Sequence, residues 1–131
     1  MVLRWLHAAA AAVFVAAVLV QVFLAGAAIP NLGGSGDFGT HIAFGYTEVG
    51  LAALAVVVTA LIARRPRRDV GITLGLMALY IIQTILPGLR DSIPWIAALH
   101  PVNAMLLFAL AAWYARRTWL GTRAAAAISP S

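Results

Sequence analysis

The chain has 131 residues, of which 63% are hydrophobic and only 10% are charged, a balance that excludes an ordinary soluble globular domain. The nine basic residues are all arginines that flank apolar segments instead of forming a basic face, so the net charge of +5 indicates no nucleic-acid partner. The absence of cysteine excludes disulfides and thiolate metal sites.

Four apolar segments are each long enough to cross a lipid bilayer, which takes roughly 20 apolar residues for a hydrocarbon core of about 30 Å. The predicted spans are residues 5–29, 38–63, 70–89 and 94–115. The short connections between them predict an all-α membrane protein, a four-transmembrane-helix up-down bundle within residues 1–117. Residues 118–131 follow as a predicted cytoplasmic tail with no further span.

Turn-forming residues separate the predicted spans. The first span stops near Pro30 and is followed by a glycine-rich segment, after which Ser35 or Asp37 is expected to cap the second span and carry His41 about one turn into the helix. In the fourth span Pro101 is expected to kink the helix beside His100. His7, near the start of the chain, is interpreted as an interfacial residue.

The arginines predict the orientation of the bundle. Eight of the nine fall on one side of the four-span arrangement, and only Arg90 falls on the other. Short loops rich in arginine remain in the cytoplasm. Both termini and the central loop around Pro66 are therefore predicted to be cytoplasmic.

The sequence also contains a weak internal repeat of two helical hairpins. Gln21 is followed five residues later by Gly26, and Gln83 is followed five residues later by Gly88. The histidines of the second and fourth spans, His41 and His100, lie 59 residues apart. Such repeats are common in membrane proteins built by duplication.

Polar side chains inside spans are costly and are therefore candidates for function. Six of them fall in the same half of the bilayer: Gln21, His41, Glu48, Gln83, His100 and Asn103. The two glutamines are interpreted as interhelical hydrogen-bond partners. Glu48 is expected either to hydrogen-bond a histidine, to carry a proton, or to reach the membrane interface.

Two of these residues are in positions that suit an iron site. The second and fourth spans are parallel, so His41 and His100 are expected to face each other at similar depth and to ligate the iron of one haem b. Regular helical spacing places His41, Gly45 and Glu48 on one face. The remaining predicted contacts of the haem are Asn103, Gln21 and Gln83.

Three segments resemble the haem A synthase family. They are residues 83–88 (Gln-Thr-Ile-Leu-Pro-Gly), 99–104 (Leu-His-Pro-Val-Asn-Ala) and 21–26 (Gln-Val-Phe-Leu-Ala-Gly), together with His41. The chain is similar to one half of these eight-span enzymes, and more closely to small bacterial four-span membrane proteins that share this pattern. Each four-helix half of a synthase has a histidine pair, on its second and fourth spans, that can bind haem.

The resemblance implies haem ligation by His41 and His100 in a multi-pass protein of the bacterial plasma membrane. It does not extend to the synthase reaction, because Ile42 stands where the synthases usually have an arginine after the histidine. No catalytic residue is assigned, and enzymatic activity is left open.

The function predicted from these features is that of a membrane-bound b-type haem protein. We expect it to act in electron transport, alone, as a homodimer, or as an accessory subunit of a larger redox complex. Two alternatives remain: a cofactor-free structural or assembly subunit, and a small multidrug-type exporter that uses Glu48.

Overall fold

The computed structural model describes residues 1–128, and nearly all of them are helical. Four helical spans are long and apolar enough to cross a membrane, and we number them 1 to 4: Val2–Ala28, Gly39–Ile62, Arg67–Leu89 and Pro94–Ile128. The predicted all-α architecture with four apolar spans is confirmed, and the chain has the character of a multi-pass membrane protein.

Spans 2 and 3 change helix type along their length. Span 2 consists of an α-helix at Gly39–Phe44, a π-helix at Gly45–Val49 and a second α-helix at Gly50–Ile62. Span 3 is an α-helix at Arg67–Ile85 that tightens into a 3-10 helix at Leu86–Leu89. A short 3-10 helix, Pro30–Leu32, lies in the loop between spans 1 and 2.

Span 4 has two helical segments, Pro94–Ala97 and His100–Ile128. The turn between them places Pro101 in the first turn of the longer helix, where the missing N–H of proline costs no helical hydrogen bond. The expected kink beside His100 is therefore a break between two helices. The longer helix continues to Ile128 and includes most of the predicted tail, of which residues 129–131 lie outside the described part of the chain.

The four spans form a bundle in which each one packs against two neighbours. Span 1 contacts spans 2 and 4, and span 3 contacts the same two spans. Because successive spans run in opposite directions, the bundle has two chemically different ends. We call one the arginine end, which carries Arg4, the loop around Pro66 and Arg117, and the other the histidine end, which carries His41 and His100.

The repeat extends over the inward-facing stripes of spans 1 and 3, whose members recur at alternating steps of four and three residues. Each member of the first stripe lies 62 residues before its counterpart in the second: His7, Ala11, Phe14, Val18 and Gln21 correspond to Asp69, Thr73, Leu76, Tyr80 and Gln83. Steps of four and three residues add up to a seven-residue period, which is typical of helices that pack side by side. The two hairpins therefore present the same face to the bundle.

The apolar core occupies the middle of the bundle and separates its two polar ends. It contains Phe14, Val56, Leu76 and Leu107, with small residues such as Ala11 between them. Small side chains at helix contacts allow close approach, which drives association of helices in lipid. Within residues 1–128, the hydrogen bonds between polar side chains of different spans lie near the two ends.

At the arginine end the structure buries His7 completely, which corrects its interpretation as an interfacial residue. Thr59 donates its hydroxyl to the Ala55 carbonyl at 2.6 Å, so it accepts the hydrogen bond from His7 Nδ1 at 2.9 Å. The Tyr114 hydroxyl then donates to His7 Nε2 at 2.8 Å. His7 faces inward because it begins the seven-residue stripe of span 1.

Replacing Tyr114 with phenylalanine is expected to lower the free energy of unfolding by about 1–3 kcal/mol, because His7 Nε2 would be left as a buried acceptor without a donor. Thermal unfolding in detergent measures the effect. Tyr46→Phe is the matched control, since Tyr46 is exposed and should tolerate the change. Equal stability of the two variants would contradict the bonding of His7 by Tyr114.

Asp69 forms the second polar contact of the arginine end and is 1% exposed. Its Oδ2 accepts hydrogen bonds from Arg65 Nε at 3.0 Å and Nη2 at 2.7 Å, and its Oδ1 lies 2.9 Å from Arg117 Nη1. These contacts join the loop after span 2 to spans 3 and 4. Together with His7, they fix all four spans to one another at this end.

Candidate functional site

The histidine end contains a cavity of about 220 Å³ between the two hairpins. Its polar lining includes both histidines and both glutamines predicted from the sequence, while Val18, Val49 and Leu107 form apolar walls. The cavity is partly open to the surface of the bundle. An apolar pocket with a few convergent polar groups is the usual form of a small-molecule or cofactor site.

The loop between spans 1 and 2 fixes His41 at the edge of this cavity. A Cβ at Gly34 would lie 2.3 Å from the Ala27 carbonyl oxygen, so only glycine allows the loop to fold back on span 1. The Asp37 carboxylate then accepts a hydrogen bond from the Gly39 amide at 2.7 Å and starts span 2. His41 consequently lies in the first turn, level with Gln21.

Gln21 holds His41 through both its backbone and its side chain. The Gln21 carbonyl accepts a hydrogen bond from His41 Nδ1 at 3.0 Å. The Gln21 amide donates to the His41 carbonyl at 2.9 Å and lies 3.3 Å from His41 Nε2. These bonds join span 1 to span 2, in agreement with the interhelical role expected for the glutamine.

Gln83 holds His100 in the same way in the second hairpin. The Gln83 carbonyl accepts from His100 Nδ1 at 3.1 Å, and the Gln83 amide lies 3.1 Å from His100 Nε2. Asn103 donates its side-chain amide to Gln83 Oε1 at 2.7 Å and to the Leu79 carbonyl at 2.9 Å. The structure thus brings five of the predicted site residues together at the cavity, in two hydrogen-bonded clusters, one in each hairpin.

The surrounding bonds decide the tautomer of both imidazoles. A backbone carbonyl can only accept, so Nδ1 of each histidine carries a proton and donates it. The amide orientations are fixed by the His41 carbonyl for Gln21 and by Asn103 for Gln83. Each Nε2 therefore accepts from an amide N–H and has the lone pair that binds a metal.

The two imidazole rings face each other across the cavity. Their centroids lie 6.4 Å apart, and the ring planes are inclined by 76°. Two metal–imidazole bonds of about 2.0–2.1 Å, with about 1.1 Å from nitrogen to ring centre on each side, separate ring centroids by roughly 6 Å. The centroid spacing alone is therefore close to that of two imidazoles on one metal ion, while each Nε2 now accepts from a glutamine amide.

The two clusters are not symmetric between the hairpins. The residue of span 2 that corresponds to Asn103 at the 59-residue spacing is Phe44, which has no hydrogen-bond donor in its side chain. Gln21 Oε1 is consequently buried without a hydrogen-bond partner, whereas Gln83 Oε1 accepts from Asn103. An unpaired buried acceptor costs about 1–3 kcal/mol, so Gln21 is held less firmly than Gln83.

Glu48 does not face the cavity, although regular α-helical spacing places it on the same face as His41. The π-helix at Gly45–Val49 holds one extra residue per turn, which rotates Glu48 to the exposed side and puts Val49 in the core. Across this bulge the spacing of matching positions in spans 2 and 4 falls from 59 (His41 to His100) to 58 (Val49 to Leu107). Without the bulge Glu48 would occupy the buried position matching Leu107.

Tyr80 is a site residue that our sequence analysis missed. Its hydroxyl donates to the Gly45 carbonyl at 3.1 Å, at the start of the π-helix. A π-helix shifts its hydrogen bonds by one residue, so Tyr80 supplies a donor at the point of change. The signal was present in the sequence, since Tyr80 lies on the same seven-residue stripe as Gln83.

Gly45 lies on the cavity wall, and the space beside it is filled by Gln21. A Cβ at position 45 would lie 2.6 Å from Gln21 Nε2. Gly45→Ala should therefore displace the Gln21 amide from His41 and lower the free energy of unfolding by about 1–3 kcal/mol, the usual cost of overpacking.

Gly75→Ala is the matched control for this change, because a Cβ at Gly75 meets nothing within 4 Å and alanine favours helix. Thermal unfolding of the two variants in detergent makes the comparison. If Gly45→Ala were as stable as Gly75→Ala, the tight contact between Gln21 and span 2 would be contradicted.

Comparison with known proteins identifies the family of the chain but no activity. No curated protein and no solved structure matches the chain. A family model matches residues 21–89, which begin at Gln21, include His41 and Gln83, and end with span 3. The match covers more than half of the chain. The chain therefore belongs to DUF6220, a family of unknown function.

Proposed function

We propose that this protein binds one haem b between His41 and His100 and serves electron transfer, alone or as a haem-bearing subunit of a larger redox complex. The observation that carries the proposal is the pair of imidazole rings whose centroids lie 6.4 Å apart. In each ring Nδ1 donates to a backbone carbonyl, which leaves the lone pair on Nε2. A backbone acceptor on Nδ1 is the usual support of a metal-binding histidine.

The donor set favours haem over a bare metal ion. Among residues 1–128 no group of three or more histidine, cysteine, aspartate or glutamate side chains is arranged to hold a metal. Two histidines suffice for haem, because the porphyrin supplies the other four nitrogen ligands of the iron. Bound haem b would supply a one-electron iron couple at the histidine end of the bundle.

Haem binding requires the two glutamine side chains to move. Their amides now occupy the Nε2 positions that iron would take, and Gln21 fills the space beside Gly45. The cavity is smaller than a porphyrin, so the ring must extend through its open side. The Gln21 and Gln83 carbonyls would keep both imidazoles oriented, because they belong to the helix backbone and stay in place.

A reduced-minus-oxidised absorption spectrum of the purified protein, expressed with haem supplied, tests this proposal. Two imidazole ligands make the iron six-coordinate and low-spin, so we expect the sharp α and β bands of low-spin haem b after reduction with dithionite. A protein that folds normally and binds no haem under these conditions would refute the proposal.

A cofactor-free role in packing or assembly of a membrane complex is the second candidate. One observation favours it: each Nε2 already accepts a hydrogen bond from a glutamine amide, so the histidines are satisfied without any ligand. In that role the cavity lining would act only in helix association. The same absorption spectrum separates the two functions.

The orientation that we propose places both termini and the arginine end in the cytoplasm of a bacterial cell, with the histidine end on the opposite face of the plasma membrane. It rests on the eight arginines at one end of the bundle. A membrane-impermeant thiol reagent should label Asn31→Cys and leave Arg67→Cys unlabelled in intact cells. The opposite pattern would reverse the orientation.

A further inference from the structure

Glu48 is an exposed carboxyl group in the middle of an apolar span. It lies nine residues into span 2, about 14 Å along the helix axis, well inside a hydrocarbon core of about 30 Å. Ionisable side chains in spans almost always face the bundle interior or a partner. Glu48 does neither within residues 1–128, where its carboxylate accepts a hydrogen bond only from the neighbouring Thr47 hydroxyl.

The backbone is built to turn this carboxyl outward. The π-helix at Gly45–Val49 moves Glu48 from the core position to the exposed side, and Tyr80 supplies a hydrogen bond to the carbonyl of Gly45 at its start. Bulges of this kind occur frequently at functional sites. A position that only faced lipid would be better filled by an apolar side chain, which costs less to place in the hydrocarbon core than a carboxyl group.

The exposed surface around Glu48 has the spacing of a helix-packing seam. Thr47 and Glu48 are followed along the exposed side of span 2 by residues that recur at steps of three and four: Leu51, Leu54, Val58 and Leu61. Exposed leucines are normal on a surface that faces lipid, so their presence alone does not indicate an interface. Their spacing, however, allows a second helix to lie along the same face as Glu48.

We propose that this seam is the interface of a homodimer in which Glu48 of one copy meets Glu48 of the other. A carboxylic acid is both a donor and an acceptor, so a second carboxylic acid is a fully complementary partner for it. Two copies with the same orientation in one membrane have Glu48 at the same depth. A two-fold axis parallel to the membrane normal then places identical groups opposite each other. The proposal is independent of haem binding.

Cross-linking in membranes tests where the copies meet. The chain has no cysteine, so single substitutions give an unambiguous signal. Leu51→Cys and Leu54→Cys should form disulfide-linked dimers on mild oxidation. Met105→Cys, on the exposed face of span 4, should form far fewer. Equal cross-linking at position 105 and at the seam would overturn the proposal.

Replacement of Glu48 tests what holds the copies together. Glu48→Leu should weaken dimerisation roughly tenfold, which is the effect expected when one pair of side chains no longer forms hydrogen bonds between two helices in lipid. Glu48→Gln should retain most of the dimer, because an amide is also both donor and acceptor. The measurement is the monomer–dimer equilibrium in detergent, with helix content by circular dichroism to show that the variants are folded.

Two results would refute the interface. One is a parent protein that is monomeric at every protein-to-detergent ratio, which would leave Glu48 to contact a different protein. The other is a Glu48→Leu variant that dimerises as strongly as the parent, which would make the carboxyl irrelevant to association. Haem binding by a monomer would leave the proposed function intact while rejecting the dimer.

Discussion

Replacing Asp69 with alanine is expected to lower the free energy of unfolding by about 3–5 kcal/mol, more than the other substitutions for which we expect a stability effect. The carboxylate is almost fully buried and is shared by Arg65 and Arg117, so its removal leaves both guanidinium groups without their counter-charge. The isosteric Asp69→Asn variant should show a loss of similar size, because it removes the charge and keeps the shape. Thermal or denaturant unfolding in detergent measures both.

Asp91→Ala is the matched control for this prediction. Asp91 is also next to an arginine, with Arg90 Nε at 3.4 Å from its Oδ1, but both side chains are largely exposed. Exposed ion pairs contribute little to stability. We expect no measurable change in unfolding temperature for Asp91→Ala. An equally small effect of Asp69→Ala would mean that the buried ion pairs do not hold the arginine end together.

If the protein binds haem as proposed, replacing either His41 or His100 with alanine should abolish its low-spin haem spectrum. One remaining imidazole leaves the iron with an open position, so the ferrous protein should become high-spin and should bind carbon monoxide. The absorption spectrum with and without carbon monoxide measures both changes. Low-spin spectra identical to that of the parent in both variants would reject these two residues as ligands.

Gln83→Leu separates ligation from packing and is the control for the histidine variants. It removes the amide that occupies His100 Nε2 and retains the backbone carbonyl that orients the ring. If the histidines bind iron, haem binding by this variant should be undiminished and its spectrum should remain low-spin. A loss of haem equal to that of His100→Ala would assign the ligand role to the glutamine or to the network as a whole.

The sequence was sufficient to predict the features that depend on long apolar runs and on matched polar positions. The four spans follow from segments of roughly 20 apolar residues, and the proximity of His41 and His100 follows from their places on parallel spans. The contacts of both glutamines with these histidines agree with their repeat positions. In each case the regular α-helical period was enough.

Two kinds of feature could not be predicted. One arises where the helical period changes, and the other where a side chain near the end of a span points into the bundle. Glu48 was assigned to the face of His41 because a constant 3.6 residues per turn was assumed, and the π-helix breaks that assumption. His7 was assigned by its nearness to the end of a span, whereas its inward direction follows from the stripe it shares with Phe14. Tyr80 was overlooked because a tyrosine within an apolar segment is usually interpreted as a residue of the packed core.

The unequal support of the two glutamines makes one wall of the cavity easier to displace than the other. Rotating Gln83 away from His100 would also break the hydrogen bond that its carbonyl oxygen accepts from Asn103. Rotating Gln21 away from His41 would break its hydrogen bond to the His41 carbonyl, but it would also release a side-chain oxygen that has no partner where it now lies. Displacing the Gln21 side chain on span 1 therefore costs less than displacing Gln83, so the space between the imidazoles opens more easily on the side of the first hairpin.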